Sequence, residues 1–196
     1  LYVNSYAEAK MYADYIATSA SALKLISKLD ADTILFGPDK NLASYVTKRS
    51  NKKIIPIPPH SYCYVHEHLI SRYHIEKAKD EKPTAKLLVH PEVPPENHEI
   101  ADFIGSTSQM LKAIGKLDGS EFLLGTEEAL SYRAKNLYPN KEIFPVNPGA
   151  ICIDMKKINL LNIKKNLETL KPKIFIEKKM NEKVRSILER SLEMIK

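Results

Sequence analysis

The feature that most restricts the fold is a repeat: the chain carries two copies of one unit. Residues 17–30 and 105–118 share Leu23/Leu111, Lys24/Lys112, Ile26/Ile114, Lys28/Lys116, Leu29/Leu117 and Asp30/Asp118 at a constant offset of 88. The same offset matches Ala13-Asp14 with Ala101-Asp102, Gly37 with Gly125 and Leu42 with Leu130. At an offset of 89, Lys52-Lys53-Ile54-Ile55-Pro56 aligns with Lys141-Glu142-Ile143-Phe144-Pro145, Pro59 with Pro148, and Cys63 with Cys152. The chain holds only 2 cysteines, and both fall at the same place in the repeat. A fixed period marks one structural unit used more than once. Residues at matching positions are therefore expected in matching environments.

Each copy reads as alternating strands and helices. In the first, residues 1–4 are expected as a short strand, 7–15 as a helix, 33–36 as a buried strand ending at Gly37-Pro38, 42–48 as a helix and 54–57 as a strand. Leu23, Ile26 and Leu29 place an amphipathic helix over 21–29. The second copy repeats this from 86–90 to 143–146, and a helix ending at 77–82 links the two. Strands alternating with helices imply a parallel sheet with right-handed crossovers. After Cys152 the pattern changes to an expected helix (158–170), strand (174–176) and helix (181–195) with no repeat partner.

Composition narrows the partners. The net charge is +6, but Lys and Glu interleave, as in residues 75–82, which reads as a solvated face. A nucleic-acid surface would need a basic stripe with interleaved aromatics, and none is present, so no nucleic-acid partner is expected. Positive charge equally suits a small anionic substrate. No apolar run reaches the roughly 20 residues of a membrane helix. The chain opens on Leu1 inside a strand pattern, and upstream residues are expected.

In parallel α/β units, ligands bind beyond the carboxyl ends of strands and at helix starts. Tyr2 and Asn4 end the first strand of copy one, and His90 and Glu92 that of copy two. Thr18-Ser19 and Ser106-Thr107 both precede helices, where a hydroxyl caps the helix or, with free N–H groups, holds an anion. Either cysteine alone would read as a small buried hydrophobe, but their matched positions point to a shared role. His66, Glu67 and His68 follow Cys63 at a spacing foreign to common structural zinc sites. His60, His74 and His98 are expected at the surface, and Asp39, Asn41 and Asp154 as caps and loop polars.

Several segments resemble the quinolinate synthase family: residues 1–8, Phe36-Gly37-Pro38-Asp39-Lys40-Asn41-Leu42, Cys63-Tyr64-Val65-His66, Val89-His90-Pro91-Glu92, 105–110, Gly125-Thr126-Glu127 and 150–157. The resemblance implies an α/β fold of repeated three-layer αβα lobes with small parallel sheets around a pseudo-threefold axis. It divides the chain into a lobe at 1–69 ending in Cys63, a homologous lobe at 70–152 ending in Cys152, and a helix–strand–helix tail at 153–196 that packs on an absent first lobe. Family members carry one cysteine per lobe, and the three bind a [4Fe–4S] cluster. Cys63 and Cys152 are then two of its ligands, with the third in the first lobe. Val93, often cysteine in the family, and Ser61-Tyr62, often Gly-His, depart from the pattern.

The resemblance further implies a transferase-type enzyme of de novo NAD biosynthesis. It condenses iminosuccinate with dihydroxyacetone phosphate to quinolinate, losing phosphate and water, with the cluster as Lewis acid. Tyr2, Asn4, Ser19, His90, Glu92, Ser106 and Thr107 fall on its substrate positions, with Glu92, His90 and Tyr2 as the catalytic set. A cytoplasmic location and a link to L-aspartate oxidase or aspartate dehydrogenase as source of iminosuccinate follow from the same resemblance. The present segment alone is expected to be inactive. The alternative reading is a non-catalytic α/β repeat module that binds a metal or an anion.

Overall fold

The computed structural model describes residues 1–196. The second unit is built on a parallel sheet in the order β4-β3-β5-β6, from β3 (Lys86–Val89), β4 (Phe103–Ile104), β5 (Glu121–Gly125) and β6 (Glu142–Pro145). Leu88 and Val89 pair with Phe103 and Ile104, and residues 86–89 with 122–125. In the first unit only β1 (Thr33–Phe36) and β2 (Lys53–Pro56) form a ladder, again parallel. The expected strand at 1–4 shrinks to one bridge, Tyr2 to Ala17.

The backbone nonetheless keeps the repeat. Tyr2 N–H donates to Gly37 C=O (2.7 Å) and His90 N–H to Gly125 C=O (3.1 Å). Ala17 N–H donates to Leu1 C=O (2.9 Å) and Gly105 N–H to Val89 C=O (3.1 Å). Farther on, Ile57 N–H to Phe36 C=O (2.9 Å) answers Val146 N–H to Leu124 C=O (3.0 Å). The slip from 88 to 89 thus falls between each unit's third and fourth strand segments, where an extra loop residue leaves the register intact. The matched glycines sit under close approaches: a Cβ on Gly37 would meet the Ile57 carbonyl oxygen at 1.8 Å, and one on Gly125 would meet Val89 Cγ1 at 2.9 Å.

Helices α2 (Ala22–Lys28) and α3 (Lys40–Thr47) cover one face of the first sheet through Leu25, Ile26, Leu42 and Val46. Their counterparts α6 (Thr107–Ile114) and α7 (Ala129–Leu137) cover the same face of the second through Met110, Leu111, Ile114 and Ala134. Each fully buried Leu, Ile or Met contributes roughly 1.5–3 kcal/mol, so these faces hold the units together. The opposite faces differ. In the second unit, α4 (Tyr64–Leu69) and α5 (Arg72–Glu81) bring Val65, Ile70, Ile75 and Ala78 onto Leu87, Leu123 and Val146. In the first, the positions matching Leu123 and Val146 are Leu35 (61% exposed) and Ile57 (42% exposed), and the face is bare.

Two expectations need correction. The helix at 7–15 is only α1 (Ala7–Lys10), a single turn with no buried residue to support extension. Residues 174–176 form no strand: Ile174 and Phe175 are exposed and have no neighbouring strand to satisfy their backbone. The tail consists of α8 (Leu160–Thr169), whose Leu160, Leu161 and Leu167 are exposed, and α9 (Lys178–Ile195). Helix α9 packs on α1 and α2 of the first unit, inserting Met194 and Ile195 beside its core. No helix is long and apolar enough to cross a membrane.

Candidate active site

The repeat brings the matched strand ends together. His90, Pro91 and Glu92 leave the end of β3, and Tyr2 occupies the corresponding place in unit one. Cys63 is the N-cap of α4, which places His66 in that helix's first turn, while Thr126 directly follows β5. These pieces close into one buried polar cluster. His66 Nε2 lies 2.9 Å from Thr126 Oγ1, and His66 Nδ1 lies 3.2 Å from Glu92 Oε2. The His66 and His90 rings stack, with centroids 4.6 Å apart and planes 16° from parallel. Glu92 N–H donates to His90 Nδ1 (3.3 Å), His90 Nε2 lies 3.3 Å from Ser19 Oγ, and the Tyr2 phenol faces both Glu92 and Ser19. Asn41 ties the Glu92 backbone to α4: its Nδ2 donates to the Glu92 carbonyl (2.9 Å) and to Glu67 Oε2 (2.6 Å).

The charges follow from this packing. Burial alone would lower the pKa of His66, but the Cys63 sulfur and the Glu92 carboxylate outweigh it and hold the ring cationic, at about 9. Burial and the positive His66 beside it drive His90 the other way, to about 3, so His90 is neutral. Since His90 Nδ1 accepts a backbone N–H, the hydrogen-bond network assigns its single proton to Nε2, toward Ser19. Burial opposes ionisation of Glu92, yet contact with His66 and His90 keeps its pKa below the ordinary carboxylate value. Burial and the nearby Glu92 charge push the Tyr2 phenol above its usual range and raise Asp39 to about 6.

Two buried atoms of this cluster, His66 Nδ1 and Glu92 Oε1, have no aligned hydrogen-bond partner. Leaving such atoms dry costs about 1–3 kcal/mol each, which fits a place meant for a ligand. Cys63 Sγ, a His66 ring nitrogen and a Glu92 oxygen lie within 4.8 Å of one another, so these three side chains could hold a metal ion. Both cysteines are free and partly exposed. Tyr64, next to Cys63, reaches the other cysteine's loop: its hydroxyl accepts from Ile153 N–H (2.9 Å), donates to Ile151 C=O (3.3 Å) and faces the Cys152 thiol. Asp39 fixes the first cysteine, accepting from Leu42 N–H (2.7 Å) with one oxygen and from Cys63 N–H (3.0 Å) with the other. Two unpaired thiols held on adjoining loops are a donor set suited to iron and sulfide.

The family model described as "Quinolinate synthetase A protein" matches residues 1–193. The chain belongs to the quinolinate synthase family. It is 50% identical over 194 residues to the quinolinate synthase of Pyrococcus abyssi, covering 99% of this chain and 64% of that protein. Identity is 42% over 196 residues to the one from Methanocaldococcus jannaschii (98% of this chain, 64% of that protein). It is 37% over 195 residues to the one from Thermotoga maritima (100% and 64%). The chain therefore spans about 64% of the length of these relatives.

Of the positions expected from the quinolinate synthase resemblance, Tyr2, Ser19, His90 and Glu92 meet in one cluster. Asn4 and Thr107 are exposed and make no side-chain hydrogen bond. Ser106 is buried and caps α6 in a reciprocal box with Gln109. His66 and Thr126 were not among the expected site residues, yet both lie inside the cluster. The signal for His66 was its place one helical turn after Cys63. His98, expected at the surface, is buried against Tyr45, because the 3-10 turn Pro95–Asn97 packs on α3.

Proposed function

We propose that the full-length protein is a quinolinate synthase of NAD biosynthesis, condensing iminosuccinate with dihydroxyacetone phosphate at the cluster around Glu92. In this reading Cys63 and Cys152 hold a [4Fe–4S] cluster with a third cysteine from a unit outside this chain. That unit would cover the bare β1–β2 face, and the segment at 1–196 alone would be inactive. The lobes would divide at 1–69 and 70–152, with 153–196 as the tail. When bound, the group supplies an iron without a protein ligand that acts as Lewis acid.

The observation that carries the reading is the convergence of a thiol, an unpartnered carboxylate oxygen and a neutral imidazole beyond the ends of matched strands. Glu92 Oε1, buried and without a partner, takes and returns protons in the enolisation and dehydration steps. His90 presents Nε2–H beside Ser19 and binds a substrate oxygen without adding charge. Tyr2, which stays protonated beside Glu92, is a second hydrogen-bond donor to the substrate. In this reading Asn4, Ser106 and Thr107 hold carboxylate or phosphate oxygens together with free N–H groups at the start of α6. The chain's net charge of +6 favours these anionic substrates. A cytoplasmic setting and supply of iminosuccinate by L-aspartate oxidase or aspartate dehydrogenase belong to the same reading.

Glu92→Gln tests it. The change keeps shape and removes proton transfer, so quinolinate formed per cluster should fall by at least about 10²-fold while iron content stays at the wild-type level. Turnover within a few-fold of wild type would remove Glu92 from the chemistry. The donor triad Cys63, His66 and Glu92 also suits one zinc ion, and a zinc-bearing protein without quinolinate formation would favour the module reading instead.

A further inference from the structure

We propose that His66 is the positioning residue for Glu92, and that Thr126 of the neighbouring unit fixes His66 in that role. The imidazole, carried by the segment that ends the first unit, joins two strand ends of the second: Nε2 is 2.9 Å from Thr126 Oγ1 and Nδ1 is 3.2 Å from Glu92 Oε2. Its ring plane is set a third time by the stack on His90. A histidine packed merely as core would have its polar atoms satisfied or pointed to water. Here Nδ1 is buried, lacks an aligned hydrogen bond and faces a carboxylate whose other oxygen is also unpartnered. Contact with one carboxylate oxygen holds the group and leaves the other, Oε1, buried and without a partner, free to exchange a substrate proton.

The arrangement also couples the base to the cysteine loop. Cys63 and His66 lie on the same first turn of α4, so a shift of that turn moves the thiol and the Glu92 contact together. Thr126 is 2% exposed and directly follows β5. It is the one hydroxyl that touches His66 Nε2. Partners that orient a functional histidine through its far nitrogen typically matter 10–100-fold, as a general magnitude for such outer contacts.

Thr126 gives the test, because it touches neither thiol nor carboxylate. Thr126→Val keeps volume and removes the hydroxyl; Thr126→Ser keeps the hydroxyl. The kinetic arm rests on the quinolinate synthase reading. In full-length protein, Thr126→Val should lower kcat by about 10–100-fold, with KM within about threefold and iron content unchanged. Thr126→Ser should restore kcat to within about threefold of wild type. A wild-type kcat in Thr126→Val, or a loss that Ser does not rescue, would overturn the assignment. The crystal structure of Thr126→Val decides it without any activity: the His66 ring should rotate and its contact with Glu92 should lengthen beyond 3.2 Å. A ring and carboxylate left in place would refute the proposal even if the wild-type protein made no quinolinate, whereas an inactive wild type with a moved ring would refute only the reaction.

Discussion

Replacing Ser191 with alanine removes one oxygen from the contact between α9 and the first unit. Ser191 Oγ accepts the buried Ile16 N–H at 2.8 Å and donates to Ile187 C=O at 2.7 Å within its own helix. Alanine leaves the Ile16 amide dry, at a cost of about 1–3 kcal/mol. The same change improves helix propensity by about 0.5 kcal/mol. The net loss is therefore about 0.5–2.5 kcal/mol. In a domain of this size 1 kcal/mol moves Tm by roughly 2–4 °C, so Tm should fall by about 1–10 °C. Ser186→Ala, on the exposed side of α9, isolates the propensity gain and should leave Tm level or slightly higher. Calorimetry of the two variants side by side reads the buried amide as their difference. Identical Tm values would show that α9 is not seated on unit one through Ser191.

Tyr64→Phe keeps the ring and deletes the hydroxyl that joins the two cysteine loops. Cluster loss on exposure to air or chelator, followed by absorbance, should then speed up severalfold with circular dichroism unchanged, and an unchanged rate would show that the Tyr64 hydroxyl does not hold the two cysteine loops together. Cys63→Ser and Cys152→Ser should each prevent stable cluster binding in a folded full-length protein, and wild-type iron content in either would refute the ligand assignment.

Much of the fold was legible because its signals are local or periodic. The strand at 33–36 and the helix over 22–28 follow from apolar spacing, and the offset of 88 carried their positions into the second unit. The cysteines were legible for the same reason. The strand expected at 174–176 failed because Ile174, Phe175 and Ile176 have the composition of a strand but no partner edge. Composition fixes preference, and pairing is a tertiary fact. Likewise, His66 joins Glu92 and Thr126 from distant parts of the chain, and no spacing rule foresees that meeting. The docking of α9 on unit one was equally hidden: the helix has an apolar stripe, but its sequence does not say which surface the stripe covers.

The most direct test of the central claim is the metal content of anaerobically purified full-length protein. One oxygen-sensitive cluster per chain is expected, with about four iron and four sulfide and the broad absorption of thiolate-bound iron. Zinc in place of iron, with no acid-labile sulfide, would contradict it.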